Sequence, residues 1–177
     1  MKSYGSFILS MALVLPLAVG CGLAGRIGDR VAGKERYRIP SEAMEPTIRA
    51  GSSVTAVAPE EGYVPKSGDV IVFRVPASWG GPGLRVSRII GVPGATVACC
   101  DDQGRTLLNG RSLQEPYIKE PPASRLDFGP VTVPPGHVWV QGDNRHVSLD
   151  SRSRAGAGDS TVPVSGIVGI VDSRSAE

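Results

Sequence analysis

Lysine is scarce in this chain of 177 residues: four occur, and none lies between Ser67 and Ile118. The 19 basic residues nearly balance the 17 acidic ones, and they form no run interleaved with aromatic side chains. Proteins that bind nucleic acid concentrate lysine and arginine on one face or in one stripe. The composition therefore does not indicate nucleic acid as a partner, and it leaves the middle of the chain without a lysine for chemistry.

Cysteine is also scarce, and two of the three residues, Cys99 and Cys100, are adjacent. A trans peptide holds consecutive α-carbons about 3.8 Å apart, below the usual disulfide range of roughly 4.4 to 6.8 Å. We expect either two small apolar side chains in a strand or a strained or intermolecular disulfide. No histidines are spaced to complete a ligand set with them, so no metal is expected.

Long apolar runs are confined to the amino-terminal region, where residues 6–25 carry no charge. A stretch of about 20 apolar residues matches the hydrocarbon core of a bilayer. We therefore expect residues 1–25 to be an uncleaved anchor with one transmembrane helix in the lipid bilayer. A lipoprotein signal cleaved before Cys21 is the alternative.

Turn formers are abundant, with 23 glycines and 15 prolines. Residues 26–36 show no apolar period and are expected to be a linker. From Tyr37 onward, short apolar runs alternate with turns, which is typical of strands. The candidate strands cover residues 54–57, 70–75, 86–90, 97–100, 105–108, 131–133, 137–140 and 167–171. We expect one mainly β, antiparallel domain over residues 37–177, with little helix.

Two loops can be predicted more specifically from the sequence. Asn109-Gly110 separates two short apolar segments, and this dipeptide favours the turn type of a two-residue hairpin. The segment Trp79-Gly80-Gly81-Pro82-Gly83 is expected to be an exposed loop, whose aromatic residue either touches lipid or is solvated.

Three segments together resemble a known family: residues 39–47, 87–94 and 142–152. In order and spacing they are similar to the signature blocks of type I signal peptidases, membrane-anchored serine endopeptidases that use a Ser/Lys dyad. Residues 68–73 and 162–169 resemble two further blocks, so the likeness covers residues 38–171. It implies an antiparallel signal-peptidase-like β domain, a hydrolase (protease) of protein secretion, and no cofactor.

Both dyad positions are substituted in this chain. The resemblance puts the nucleophile at Ala43 and the general-base lysine at Ser87. Alanine has no nucleophilic atom, and a neutral hydroxyl is a feeble base near neutral pH. Shifting the alignment by one or two residues restores no lysine, because none is nearby. We therefore expect a catalytically inactive signal peptidase homologue.

The surroundings of the dyad match the family more closely. The resemblance implies that Ser41 contributes to the oxyanion hole and that Ser148 orients the catalytic lysine. The matching polar network consists of Asp143, Asn144, Arg145, Asp150 and Arg152, whose charges we expect to form an ion-pair cluster that holds a loop. A groove for an extended peptide could be lined by Ile39, Met44 and Ile90, although apolar residues beside strands are more often plain core.

The expected partners are signal peptides of exported preproteins or an active paralogue. The family topology implies a single-pass protein of the cell membrane with its domain on the extracytoplasmic side. Five basic residues after the span favour the opposite orientation, but long domains translocate largely regardless of charge.

Displaced chemistry is the alternative function: an active signal peptidase that uses Ser41 as nucleophile with His146, or less favourably His137, as base. A purely structural envelope protein is a further possibility.

Overall fold

Eleven β-strands make up most of the regular structure in residues 33–172, the part of the chain that the computed structural model describes. The strands are β1 Lys34–Arg38, β2 Ser53–Val57, β3 Val70–Arg74, β4 Leu84–Gly91, β5 Thr96–Cys99, β6 Thr106–Leu108, β7 Arg111–Ser112, β8 Phe128–Thr132, β9 His137–Gln141, β10 Val162–Pro163 and β11 Ile167–Val171. Helix in these residues is limited to three short 3₁₀ segments, Ala77–Trp79, Ser151–Arg154 and Val164–Gly166. The predicted mainly β domain with little helix is confirmed.

The strands form two sheets. The larger sheet has the order β1-β2-β11-β3-β4-β9-β10, and the smaller one has the order β7-β6-β5-β8. Neighbouring strands pair antiparallel throughout both sheets, as expected. The carboxyl-terminal strand β11 lies between β2 and β3, so the end of the domain is built into the middle of the larger sheet.

The expected anchor over residues 1–25 lies outside the described residues, as does most of the expected linker. Within residues 33–172, no helix is long and apolar enough to span a bilayer.

Each of the eight predicted strands overlaps an observed strand, because their apolar residues are buried on at least one face. In β3, Val70 to Phe73 are at most 3% exposed, which explains their uninterrupted apolar run. Strand β1 was not predicted, and it begins inside the expected linker. It is a charged edge strand that pairs only with β2, so it shows no apolar alternation.

The hairpin at Asn109-Gly110 is confirmed. Strands β6 and β7 pair across it, with Leu108 opposite Arg111. Asn109 has φ of 53° and Gly110 has φ of 75°, the positive values that this class of two-residue turn requires. The Asn109 Oδ1 atom also accepts a hydrogen bond from the backbone N–H of Thr96 at 2.8 Å, which ties the turn to β5.

The loop at residues 79–83 is exposed at Gly80, Pro82 and Gly83, as expected, but the expectation that its aromatic residue is exposed is wrong. Trp79 is 8% exposed and packs edge-on against Phe73, with ring centroids 6.3 Å apart. Its indole N–H donates to the carbonyl of Asp159 at 2.7 Å. The glycines that follow let the chain turn sharply, and the large apolar ring then folds back onto the sheet rather than toward solvent.

Cys99 and Cys100 form a disulfide at the end of β5, one of the two states expected from the sequence. Their peptide bond is cis rather than the trans bond assumed above, and the α-carbons are 3.0 Å apart. The carboxylate of Asp127 lies within 4.8 Å of both sulfurs. Because the sulfurs are joined to each other, they do not supply the thiolates that a soft metal ion would bind.

Candidate active site

Two loops and one strand enclose a cleft on the larger sheet. The first loop follows β1 and carries Ser41 and Ala43, and the second follows β9 and spans residues 142–150. The backbone N–H of Asn144 donates to the carbonyl of Ala43 at 3.0 Å, which fastens the two loops together. Strand β4 supplies the remaining wall. Segments about 100 residues apart in the sequence are thereby brought into contact.

Gly142 permits this close approach. A β-carbon at position 142 would collide with the Ser148 hydroxyl and with the carbonyl oxygen of Ala43, and it would lie 2.6 Å from the Ser148 β-carbon. The absence of a side chain at Gly142 therefore allows Ser148 to fold over the loop beside Ala43. The backbone N–H of Gly142 donates to Asp150 Oδ2 at 2.9 Å, which fixes the start of the same loop.

The sequence-predicted dyad positions and their two neighbouring hydroxyls line one cavity of about 200 Å³. Its lining consists of Ser41, Ala43, Arg85, Val86, Ser87, Val147, Ser148 and Leu149. Ser87 is 3% exposed, so its hydroxyl is almost removed from bulk solvent. No lysine of residues 33–172 contributes to this lining. The cavity therefore offers hydroxyl groups and one guanidinium, but neither a nucleophile at position 43 nor an amine at position 87.

A second cavity of about 110 Å³ adjoins the first, because Ser41 and Val86 line both. Its lining consists of Tyr37, Arg38, Ile39, Pro40, Ser41, Met44, Val72, Leu84 and Val86. Ile39 and Met44 thus lie where the expected peptide groove would be, although they are only 4% and 1% exposed and also belong to the core. The two cavities are therefore neighbours on the same side of the domain.

The expectation that Ile90 lines this groove is wrong. Ile90 is fully buried in the core between the two sheets, where it packs with Val97, Phe128 and Trp139. The pairing of β4 with β9 changes register between Ile89 and Gly91, beside Ile90. A bulge re-aims the side chain at such a point, so position relative to Ser87 did not predict where Ile90 packs.

The buried charges behind the cleft form three ion pairs, and two of these pairs are linked because Arg145 and Arg152 both donate to the carbonyl of Ala123. The first joins Arg88 to Asp143, which is fully buried, through contacts of 2.9 Å from Nε and 2.6 Å from Nη2. The Arg88 guanidinium also lies 4.0 Å above the ring of Tyr117. Burial acts to lower the pKa of Arg88, but its hydrogen bonds and attraction to Asp143 raise that pKa above its ordinary value, so the guanidinium stays charged.

The other two pairs fix the ends of the loop at 142–150. Arg145 pairs with the buried carboxylate of Glu115 at 2.5 Å and donates from Nε to the carbonyl of Gly142 at 2.9 Å. Arg152 pairs with Asp150 at 2.8 Å. These contacts agree with a structural role in which the charges hold the loop in place.

Three participating residues were not identified from the sequence: Arg85, Arg88 and Glu115. Arg88 carries a signal, because it directly follows Ser87 in a segment that resembles the family. Glu115 has no local signal, since it meets Arg145 only through the fold. Arg85 stands two positions before Ser87, and the alternation of a strand would have put both on one side.

The two histidines lie away from the cleft hydroxyls. The ring nitrogens of His146 contact Glu120 Oε1 at 3.1 Å and the carbonyl of Pro122 at 3.3 Å, and His146 does not line the cavity that contains Ser41. His137 starts β9, whereas the cleft loop follows the end of that strand roughly 15 Å away at the rise of an extended chain.

Comparison with known proteins identifies the class. A family model described as signal peptidase, peptidase S26, matches residues 10–175, which is nearly the whole chain. The chain therefore belongs to the signal peptidase S26 family, and the family resemblance seen in the sequence is confirmed.

The chain is similar to several proteins of this family. It is 38% identical over 184 residues to signal peptidase I of Mycobacterium tuberculosis, a match that covers 75% of this chain and 62% of that protein. It is 37% identical over 150 residues to the probable signal peptidase I-1 of a Synechocystis species, covering 81% of this chain and 69% of that protein. A crystal structure of a signal peptidase I from Enterococcus faecalis V583 is 30% identical, with a TM-score of 0.48, covering 61% of this chain and 97% of that one. The chain thus spans 62% of the length of the mycobacterial relative.

Proposed function

We propose that this protein is a catalytically inactive member of the signal peptidase family that binds signal peptides of exported preproteins without cleaving them. One observation carries the proposal: Ala43 and Ser87, at the positions that the family resemblance assigns to the dyad, line the same cavity.

The chemistry of a Ser/Lys dyad needs a hydroxyl that attacks a carbonyl and an uncharged amine that takes its proton. Ala43 supplies no attacking atom, and the Ser87 hydroxyl is too weak a base to replace an amine. In the serine protease subtilisin, loss of the nucleophile alone lowers turnover by a factor of about 10⁶. Loss of both groups leaves no partial mechanism.

The features that bind a peptide do not depend on the dyad. An extended peptide is held mainly by main-chain hydrogen bonds and by small pockets for alternate side chains. The cavity beside Ile39 and Met44 is such a pocket, and the hydroxyls of Ser41 and Ser148 are available in the neighbouring cavity. Binding without cleavage is therefore physically consistent with the cleft.

The proposal extends to the location of the protein. We infer a single-pass protein of the cell membrane, anchored in the lipid bilayer by residues 1–25, with the β domain on the extracytoplasmic side. Signal peptides become accessible to such a domain as preproteins are exported. An active signal peptidase paralogue is the second partner that we propose, because an inactive homologue can compete for or present the same peptides.

Displaced chemistry with Ser41 and His146 receives less support from the geometry. Both ring nitrogens of His146 contact groups outside the cavity, so the ring would have to leave these contacts before it could accept a proton from Ser41. A cleavage experiment distinguishes peptide binding without cleavage from displaced chemistry.

We predict that the full-length protein in detergent does not cleave a preprotein with small residues at positions −1 and −3, whereas the double variant Ala43→Ser with Ser87→Lys does. The double variant places a hydroxyl and a partly desolvated amine in one cavity, within about 3 Å if the family geometry is retained. Each single variant should be inactive, and the rate of the double variant should rise toward alkaline pH as the new lysine loses its proton.

The pair Ala43→Ser with Ser87→Met is the matched control, because it restores the hydroxyl and the side-chain length without the amine. Cleavage by the unaltered protein that disappears in Ser41→Ala would establish displaced chemistry instead. A folded double variant without activity would indicate that the cleft has diverged and would favour a structural role.

A further inference from the structure

Arg85 is the one charged side chain that lines the cavity of Ala43 and Ser87 among residues 33–172. It lies on β4, two positions before Ser87, and it is partly buried. Its Nη1 atom donates to the carbonyl of Leu149 at 3.0 Å, and Leu149 lines the same cavity. This bond holds the guanidinium at the wall of the cleft.

The charge of Arg85 is not neutralised by the protein around it. No carboxylate of residues 33–172 forms an ion pair with Arg85, in contrast to Arg88, Arg145 and Arg152. A guanidinium has five N–H donors, and the carbonyl of Leu149 takes one of them. Donors are therefore left for a group that enters the cavity.

The rest of the lining is suited to an anion. The hydroxyls of Ser41, Ser87 and Ser148 line the cavity with Arg85, and no acidic side chain among residues 33–172 does. Hydroxyls can donate to an oxyanion, and the planar fork of a guanidinium matches the two oxygens of a carboxylate. The cavity thus combines one positive charge with three hydrogen-bonding hydroxyls.

A carboxylate carries a second oxygen in the position that the amide nitrogen occupies in an uncleaved chain, so it accepts hydrogen bonds at both positions. The Ala43 side chain has no hydrogen-bonding group that could compete with these oxygens for the donors of Arg85. The adjoining cavity, lined by Ile39, Met44 and Leu84, would hold an apolar residue that precedes the terminus.

We propose that Arg85 makes this cleft a site for the free α-carboxylate of an extended apolar peptide. The protein then takes cleaved signal peptides in preference to intact preproteins. This inference rests on the proposed peptide-binding function and specifies its ligand.

Fluorescence anisotropy with the full-length protein in detergent tests the proposal. The probe is an amino-terminally labelled decapeptide of leucine and alanine that ends in alanine, prepared as the free acid and as the carboxyl-terminal amide. A charge-assisted hydrogen bond predicts that the acid binds roughly tenfold to hundredfold more tightly than the amide. Arg85→Gln should remove this preference, because it weakens binding of the acid much more than binding of the amide.

Arg111→Gln is the matched control, because it makes the same change of charge at an exposed position on β7 in the other sheet. It should retain the full preference for the acid. Equal binding of acid and amide by the unaltered protein would overturn the carboxylate site while leaving peptide binding intact. Binding of neither peptide would overturn the proposed peptide-binding function itself. If Arg85→Gln does not fold, as judged by circular dichroism, the comparison of acid and amide on the unaltered protein decides alone.

Discussion

A single buried carboxylate, Asp143, joins the cleft loop to β4 and to the first loop. It accepts hydrogen bonds from Arg88 through two nitrogens and from the Thr47 hydroxyl. None of these partners is close to Asp143 in the sequence. The residue therefore acts as a cross-link between three segments rather than as part of a local turn.

We predict that Asp143→Asn lowers the free energy of unfolding by about 3 to 5 kcal/mol, the usual cost of leaving a buried charge without its partner. The amide keeps the shape of the side chain but leaves the Arg88 guanidinium uncompensated. Urea denaturation measures the loss. Asp159→Asn, which breaks the partly exposed pair with Arg154, is the control and should be milder because solvent screens that pair more than the buried one. Similar losses of unfolding free energy in the two variants would contradict a larger contribution from the buried pair.

At the scale of an element, the turn before β6 is organised by one side chain. Asp101 accepts hydrogen bonds from the Ser112 hydroxyl at 2.5 Å, from the backbone N–H groups of Arg105 and Gln103, and from Arg105 Nε at 2.7 Å. The hydrogen bond from Ser112, followed by those from Arg105, holds the pKa of Asp101 well below its usual range. The turn is thus fastened to both strands of the β6–β7 hairpin.

This lowered pKa predicts an acid-sensitive contribution to stability. Because the folded-state pKa of Asp101 lies below the unfolded value of about 3.9, the stabilisation is present above that value and is lost as the pH falls through the folded-state pKa. The stability difference between the unaltered protein and Asp101→Asn should therefore shrink as the pH is lowered below about 4. Thermal unfolding across a pH series measures it, and Ser112→Ala should show part of the same effect. A stability difference that stays constant with pH would contradict a contribution from the ionised Asp101 carboxylate.

At the scale of the whole molecule, the two sheets share one core. Trp139 belongs to β9 of the larger sheet, yet it stacks on Phe128 of the smaller sheet with ring centroids 5.1 Å apart. Trp79 reports on a different part of the core, beside Phe73. The protein has only these two tryptophans, so each can be made a single probe.

We predict that the domain unfolds in one cooperative transition. Trp79→Phe leaves Trp139 as the probe between the sheets, and Trp139→Phe leaves Trp79 as the probe of the larger sheet. In each variant, the fluorescence transition in urea should coincide with the loss of far-ultraviolet circular dichroism, because coincidence of probes is the test of two-state unfolding. Transitions that separate in either variant would mean that the two sheets unfold independently.

The sequence by itself determined the features that depend on neighbouring residues. Apolar runs predicted eight strands, and Asn109-Gly110 predicted the hairpin, because strand period and turn conformation are local properties of the chain. The signature segments predicted the family. They also showed that the two positions where the family has its dyad, 43 and 87, carry alanine and serine. Local pattern was sufficient because each of these features involves only a few consecutive residues.

Only the tertiary structure decided which distant residues meet. It paired Arg88 with Asp143, 55 residues away in the sequence, and Glu115 with Arg145, 30 residues away. It also buried Trp79, turned Ile90 into the core, and set Arg85 in the wall of the cleft. A charge or an aromatic ring has many possible partners along the chain, and the packing of the two sheets and the close approach at Gly142 select among them.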